Sequence, residues 1–203
     1  MLTKTTQKDY LLSVSPLQRL FKIMSDRQFQ LQPFSSTQAP ANLDLKARIS
    51  QDQQQLKINY QLHGDLAQLL LPTPTEQPHR KNDLWQTTCF EFFLAVFNAP
   101  EYWEFNLAPT GDWNAYGFSD YRRNMSEASN FSTLPLKILN RDSSSYELQT
   151  EINLQSITTG NISLEISVTS VIADKNQNLS HWAINHPGTQ ADFHRRDSFV
   201  LLN

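Results

Sequence analysis

Apolar and polar residues alternate one by one over several stretches of this chain. Leu43, Leu45, Ala47 and Ile49 alternate with polar neighbours, as do Leu56, Ile58, Tyr60 and Leu62. Tyr146, Leu148, Thr150, Ile152 and Leu154 repeat the pattern, and so do Ile162, Leu164, Ile166 and Val168. A period of two puts successive side chains on opposite faces of a strand, so each stretch predicts an antiparallel strand with one buried and one wet face. Turn residues fall between the stretches: His63-Gly64-Asp65, Asn98-Ala99-Pro100, Pro109-Thr110-Gly111-Asp112 and Thr159-Gly160-Asn161. Residues 72–82 carry Pro72, Pro74 and Pro78 and read as a loop. Residues 121–132 read as a polar, irregular connection with at most a helical turn. No helical period rivals these patterns, so the expected fold is all-β, an antiparallel β-sandwich of the jelly-roll kind spanning residues 26–203. Residues 1–25 read as a polar tail, with a short helix expected over 16–24 and Met24 as a candidate natural start.

One segment departs from simple alternation. Cys89–Phe97 is apolar on both strand faces except for Glu91. Phe90, Phe92, Leu94 and Val96 form one face, which leaves Glu91 among Cys89, Phe93, Ala95 and Phe97 on the other. The short connection 98–101 predicts a hairpin onto Tyr102–Ala108. Pairing Phe97 with Tyr102 would set Ala95 against Glu104 and Phe93 against Asn106, with Glu91, Glu104, Asn106 and Tyr102 sharing one face. That face is either an outer, solvated surface or a concave ligand platform with Trp85 at its entrance. The cost of an unpaired buried carboxylate argues against the first, and pattern alone leaves both open.

Composition narrows the function classes. The chain has 203 residues, 39% hydrophobic and 11% aromatic, enough for a real core. With 17 basic and 20 acidic residues its net charge is -3, which speaks against a general nucleic-acid surface. The single cysteine, Cys89, allows no intrachain disulfide and no cysteine-built metal site. Only five glycines leave little material for a phosphate-binding loop, and no GxSxG elbow occurs. No apolar stretch approaches ~18 residues, so no membrane partner is expected and the cytoplasm is the expected compartment.

The segments Trp85–Leu94, Tyr102–Gly111 and Phe193–Leu202 together resemble the superfamily of family-9 carbohydrate-binding modules and DOMON-like domains. The shared pattern is a Trp, then Val-Glu-hydrophobic-Phe, then aromatic-x-Phe-x-hydrophobic-x-Pro-x-Gly, and finally a closing strand. With His181-Trp182-Ala183 and His186-Pro187, the chain is most similar to small stand-alone bacterial DOMON-like proteins, over residues 28–203. The resemblance implies a non-catalytic module that clamps a sugar or sugar-like small molecule between two aromatic side chains. These would be Trp85, six residues before Glu91, and Phe193, six residues before Phe199, where the family more often has Trp. Glu91 and Asn106 would bind hydroxyls, with Glu104, Gln149 and His194 completing the implied ligand-binding set.

Other chemistries compete. Some DOMON-like domains resemble haem-b cytochromes, and here Met125 with His181, His186 or His194 would be the axial pair. His181, His186, Asp192 and His194 fall within fourteen residues but match no standard zinc spacing, and they read as a histidine-bearing loop. No cofactor is therefore expected, with haem b and a structural calcium ion as open alternatives. Glu91 and Glu104 on one face would also suit a jelly-roll glycosidase, a further alternative.

Overall fold

The computed structural model describes residues 24–158 and 163–202. The Thr159-Gly160-Asn161 turn lies outside these residues. So does the helix expected over 16–24, except for Met24, which opens the first strand.

Twelve strands form two layers among the described residues. One layer joins β1 (Met24–Pro33), β2 (Asp44–Asp52), β3 (Gln55–His63), β9 (Ser145–Asn153) and β8 (Leu136–Arg141). The other runs β7 (Ser126–Glu127), β6 (Trp113–Phe118), β5 (Tyr102–Leu107), β4 (Cys89–Val96), β10 (Leu164–Ala173) and β11 (Leu179–Ala183). The last strand, β12 (Val200–Leu201), pairs with β10 beyond the end of β11. All pairings between strands are antiparallel. β1 belongs to both layers: Met24–Leu31 pair with β2, whereas Gln32 and Pro33 pair with β11. This all-β, antiparallel, curled arrangement is the sandwich that the alternation predicts.

The alternating positions make the core. Leu45, Ala47 and Ile49 of β2, Leu56, Ile58, Tyr60 and Leu62 of β3, and Tyr146, Leu148 and Ile152 of β9 are buried in it. They meet Phe90, Phe92 and Leu94 of β4 and Ile166 and Val168 of β10 from the opposite layer. Phe90 stacks on Tyr146, with ring centroids 5.6 Å apart, and Phe92 stacks on Phe105 at 4.3 Å. Removing each such side chain from water contributes about 1.5–3 kcal/mol. The Tyr60 hydroxyl crosses the interface and donates to the backbone carbonyl of Glu91. The connection 121–132 holds no helical turn. It contains β7 and turns, and Phe131 packs edge-on against Phe105 at 4.9 Å.

Seven of the eight residues of β4 are buried, as are nine of the ten of its neighbour β10. The inner side of β4 meets the core, so something must also cover its outer side. That cover builds the site.

Candidate functional site

On the outer side of β4 stand Cys89, Glu91, Phe93 and Ala95. The register sets Glu91 opposite Asn106, Phe93 opposite Glu104 and Ala95 opposite Tyr102. This differs by two residues from the expected pairing of Phe97 with Tyr102. Phe97 leaves the hairpin, its N–H donating to the Ser163 carbonyl at 2.9 Å, and Asn98 turns the chain at a φ of 63°. A shift of two preserves parity, so Glu91, Glu104, Asn106 and Tyr102 still share one face. β6 extends this face with Tyr116 opposite Glu104 and Phe118 opposite Tyr102.

Three connections fold over the face. The first carries Trp85 on a single 3-10 turn, Leu84–Gln86, which follows Asp83 at a φ of 61°. Leu84 is buried with Cys89 and Ala108, which anchors the turn. Trp85 is left half-buried, edge-on to Tyr116 at 5.8 Å. The second connection, 119–125, brings Arg122 and Met125. The third, 184–199, brings Phe193 and His194, with the Phe193 ring 5.8 Å from the His181 ring and 6.5 Å from His186.

Hydrogen bonds tie the second and third connections together. Arg122 Nη2 donates to Asp192 Oδ1 at 2.8 Å, and the Tyr121 hydroxyl donates to the same carboxylate. Asp192 Oδ1 also accepts the His194 backbone N–H at 3.1 Å. Beneath them the Tyr102 oxygen accepts the Arg122 backbone N–H at 3.1 Å and lies 2.8 Å from His194 Nδ1. The Tyr102 hydroxyl can donate to Nδ1, and the imidazole hydrogen is then on Nε2, 3.8 Å from Glu104 Oε2.

Between these parts lies a cavity of about 330 Å³, near the small end of the range of ~300–1,000 Å³ typical of ligand sites. Trp85, Phe93, Phe118 and Phe193 supply aromatic walls, Glu91 and Glu104 acids, and Arg122, His181 and His194 polar edges. Glu91 is 2% exposed and its Oε1 has no hydrogen-bond partner. Burial, followed by repulsion from Glu104, holds its carboxyl well above the usual carboxylate range, against smaller lowering effects of Cys89 and Thr169. Burial raises Glu104 to about 7, although the Asn106 amide donates to its Oε1 at 2.9 Å and Arg122 lies nearby. His194 is pushed down to about 4 by burial and then by the Arg122 charge, so near neutral pH it is an uncharged donor.

The structure thus brings Trp85, Glu91, Glu104, Phe193 and His194 to one cavity. Asn106 is fully buried behind them and serves Glu104 as a hydrogen-bond donor instead of meeting the cavity. Gln149 is a correction. It lies on β9 in the other layer, between Asn59 of β3 and Lys137 of β8, with parity opposite to the core residues Leu148 and Thr150. Its alternation shows that it faces outward but not from which layer. Arg122, Phe118 and Val171 were missed. The aromatic alternation of Tyr116 and Phe118 signals β6, whereas nothing local to Arg122 marks it.

Met125 and His181 also border this cavity. A porphyrin requires an apolar slot with a ligand on each face. Here Met125 is half exposed on a loop and the cavity presents two acids, so these residues do not fit haem. Among the described residues no three of His, Cys, Asp and Glu gather in a metal-holding group, and no helix is long and apolar enough to cross a membrane.

No family model and no curated protein match the chain in sequence. Among solved structures it is similar to a Bacteroides uniformis protein provisionally described as carbohydrate-binding, at 14% identity over 85% of each chain, with a TM-score of 0.62. It is also similar to a family-9 carbohydrate-binding module from Caldicellulosiruptor kristjanssonii solved with cellotriose. That match has 12% identity over 78% of this chain and 72% of that one, and a TM-score of 0.50. The likeness is one of fold: the chain has a β-sandwich of the carbohydrate-binding-module kind.

Proposed function

We propose that this chain is a non-catalytic carbohydrate-binding module, a member of the DOMON-like group. It holds a sugar ring against Trp85 and Phe193 with the hydroxyls on Glu91, Glu104 and His194. One observation carries the reading: two half-buried aromatic rings border the same cavity as a buried carboxyl whose Oε1 has no partner. Sugar C–H faces pack on aromatic rings, and a ring hydroxyl can donate to the Glu91 carboxyl oxygen that burial otherwise leaves costly. The neutral His194 Nε2–H supplies a further donor to a sugar oxygen.

Calorimetric titration with glucose and cellotriose tests this. The wild type is expected to bind, with a change in tryptophan fluorescence. Trp85→Ala and Phe193→Ala should each weaken binding roughly tenfold, as expected for loss of an aromatic contact of about 1 kcal/mol plus its buried area. Equal binding by both variants would overturn the reading.

A further inference from the structure

We propose that the cavity selects a ligand bearing a protonated amine, an amino sugar in preference to a neutral one, with the ammonium seated at Glu91 and Glu104. This rests on the carbohydrate reading and names its substrate class.

The two acids are diagonal neighbours on adjacent strands, since Glu91 faces Asn106 and Glu104 faces Phe93. They are 2% and 6% exposed, and both meet the cavity. Among the described residues the cation beside Glu104 is Arg122, and it is committed to Asp192. From the sheet their neighbours are Cys89, Tyr102, Asn106, Tyr116 and Thr169, and Tyr60 reaches the Glu91 carbonyl from the other layer. From the connections, the Arg122 guanidinium is held by Asp192, and His194 is neutral with Nδ1 engaged by Tyr102. His181 is likewise shifted towards its neutral form, by burial and then by His186. The cavity therefore contains a surplus of acid and one carboxyl oxygen with no partner.

A neutral hydroxyl brings one donor to this floor, whereas an ammonium brings three donors and a charge. It can bond Glu91 Oε1 and Glu104 Oε2 together, and the aromatic walls attract it further through their ring faces. A bare metal ion would leave those walls unused, and among the described residues no three of His, Cys, Asp and Glu gather as a metal-holding group. Seating an ammonium favours ionisation of both acids, so binding should release protons to the solvent.

Calorimetry at pH 7 with glucosamine, N-acetylglucosamine, glucose and cyclohexylamine tests the proposal, repeated in two buffers of different ionisation enthalpy. Glucosamine should bind about tenfold tighter than glucose or more, as expected for a charge-assisted contact. N-acetylation should erase the gain, and the apparent enthalpy should change with buffer in the direction of proton release. Glu91→Gln should abolish the preference for glucosamine over glucose. The ligand comparison in the wild-type protein stands even if that variant fails to fold. Glucose binding equal to or tighter than glucosamine overturns the ammonium proposal and leaves the sugar reading standing. Glu91-dependent cyclohexylamine binding without any sugar binding supports the ammonium site and removes the sugar reading. Silence towards all four probes overturns both.

Discussion

Trp85 and Phe92 are both aromatic, yet they occupy opposite situations. Phe92 is fully buried and stacked on Phe105 in the core, whereas Trp85 is half-buried at the cavity with an edge contact to Tyr116. Phe92→Ala should therefore cost about 3–5 kcal/mol in chemical denaturation, whereas Trp85→Ala should cost far less and mainly lose ligand. A pH prediction follows from Glu104. The unfolded chain ionises this acid from about 4.5, while the folded chain resists until about 7. Over that window the folded state holds more protons, so this group lowers stability as pH rises. His194 acts oppositely: its folded value of about 4 lies below the ordinary 6.5, so its contribution is lost as pH falls through that interval. Glu104→Gln should thus gain stability over the wild type progressively from pH 4.5 to 7, measured by denaturation at several pH values. A pH-independent difference would contradict the assignment. Glu91 was legible in the sequence because a lone charge in an apolar strand stands out. Arg122 was not, since its place depends on two connections meeting through Asp192.

The strands were legible wherever one face is wet and the other dry, as in β2, β3 and β9. The hairpin register was readable only to parity: alternation fixes which face a residue takes, but the loop decides which partner it meets. Connections were the least legible elements, because their positions rest on a few long-range bonds rather than on a repeating pattern. The Arg122–Asp192 pair illustrates this by linking residues 119–125 to the segment bearing Phe193 and His194. The Asp192 side chain is 17% exposed and also accepts from Tyr121 and the His194 backbone, so Asp192→Ala should change stability by only about 1–3 kcal/mol. It should nevertheless weaken sugar binding by freeing His194 and Phe193 from their tether. Unaltered affinity in that variant would show that the sheet alone holds these residues in place.

At the scale of the molecule, one layer serves as support and the other carries the cavity. Phe90, Phe92 and Leu94 bind β4 to the core on one side, so Glu91 and Phe93 can face a cavity on the other without loosening the sandwich. Tyr60 joins the two functions, because its hydroxyl reaches the backbone of Glu91 from the supporting layer. Tyr60→Phe should cost about 1 kcal/mol of stability, measured by denaturant unfolding. The account's central claim concerns where a sugar sits, and the four tryptophans provide internal reporters. In a proton–nitrogen correlation spectrum titrated with a bound saccharide, the indole signal of Trp85 should shift progressively. Trp103, Trp113 and Trp182, which do not border the cavity, should stay in place. A saccharide that moves one of those three and leaves Trp85 unchanged would contradict the account.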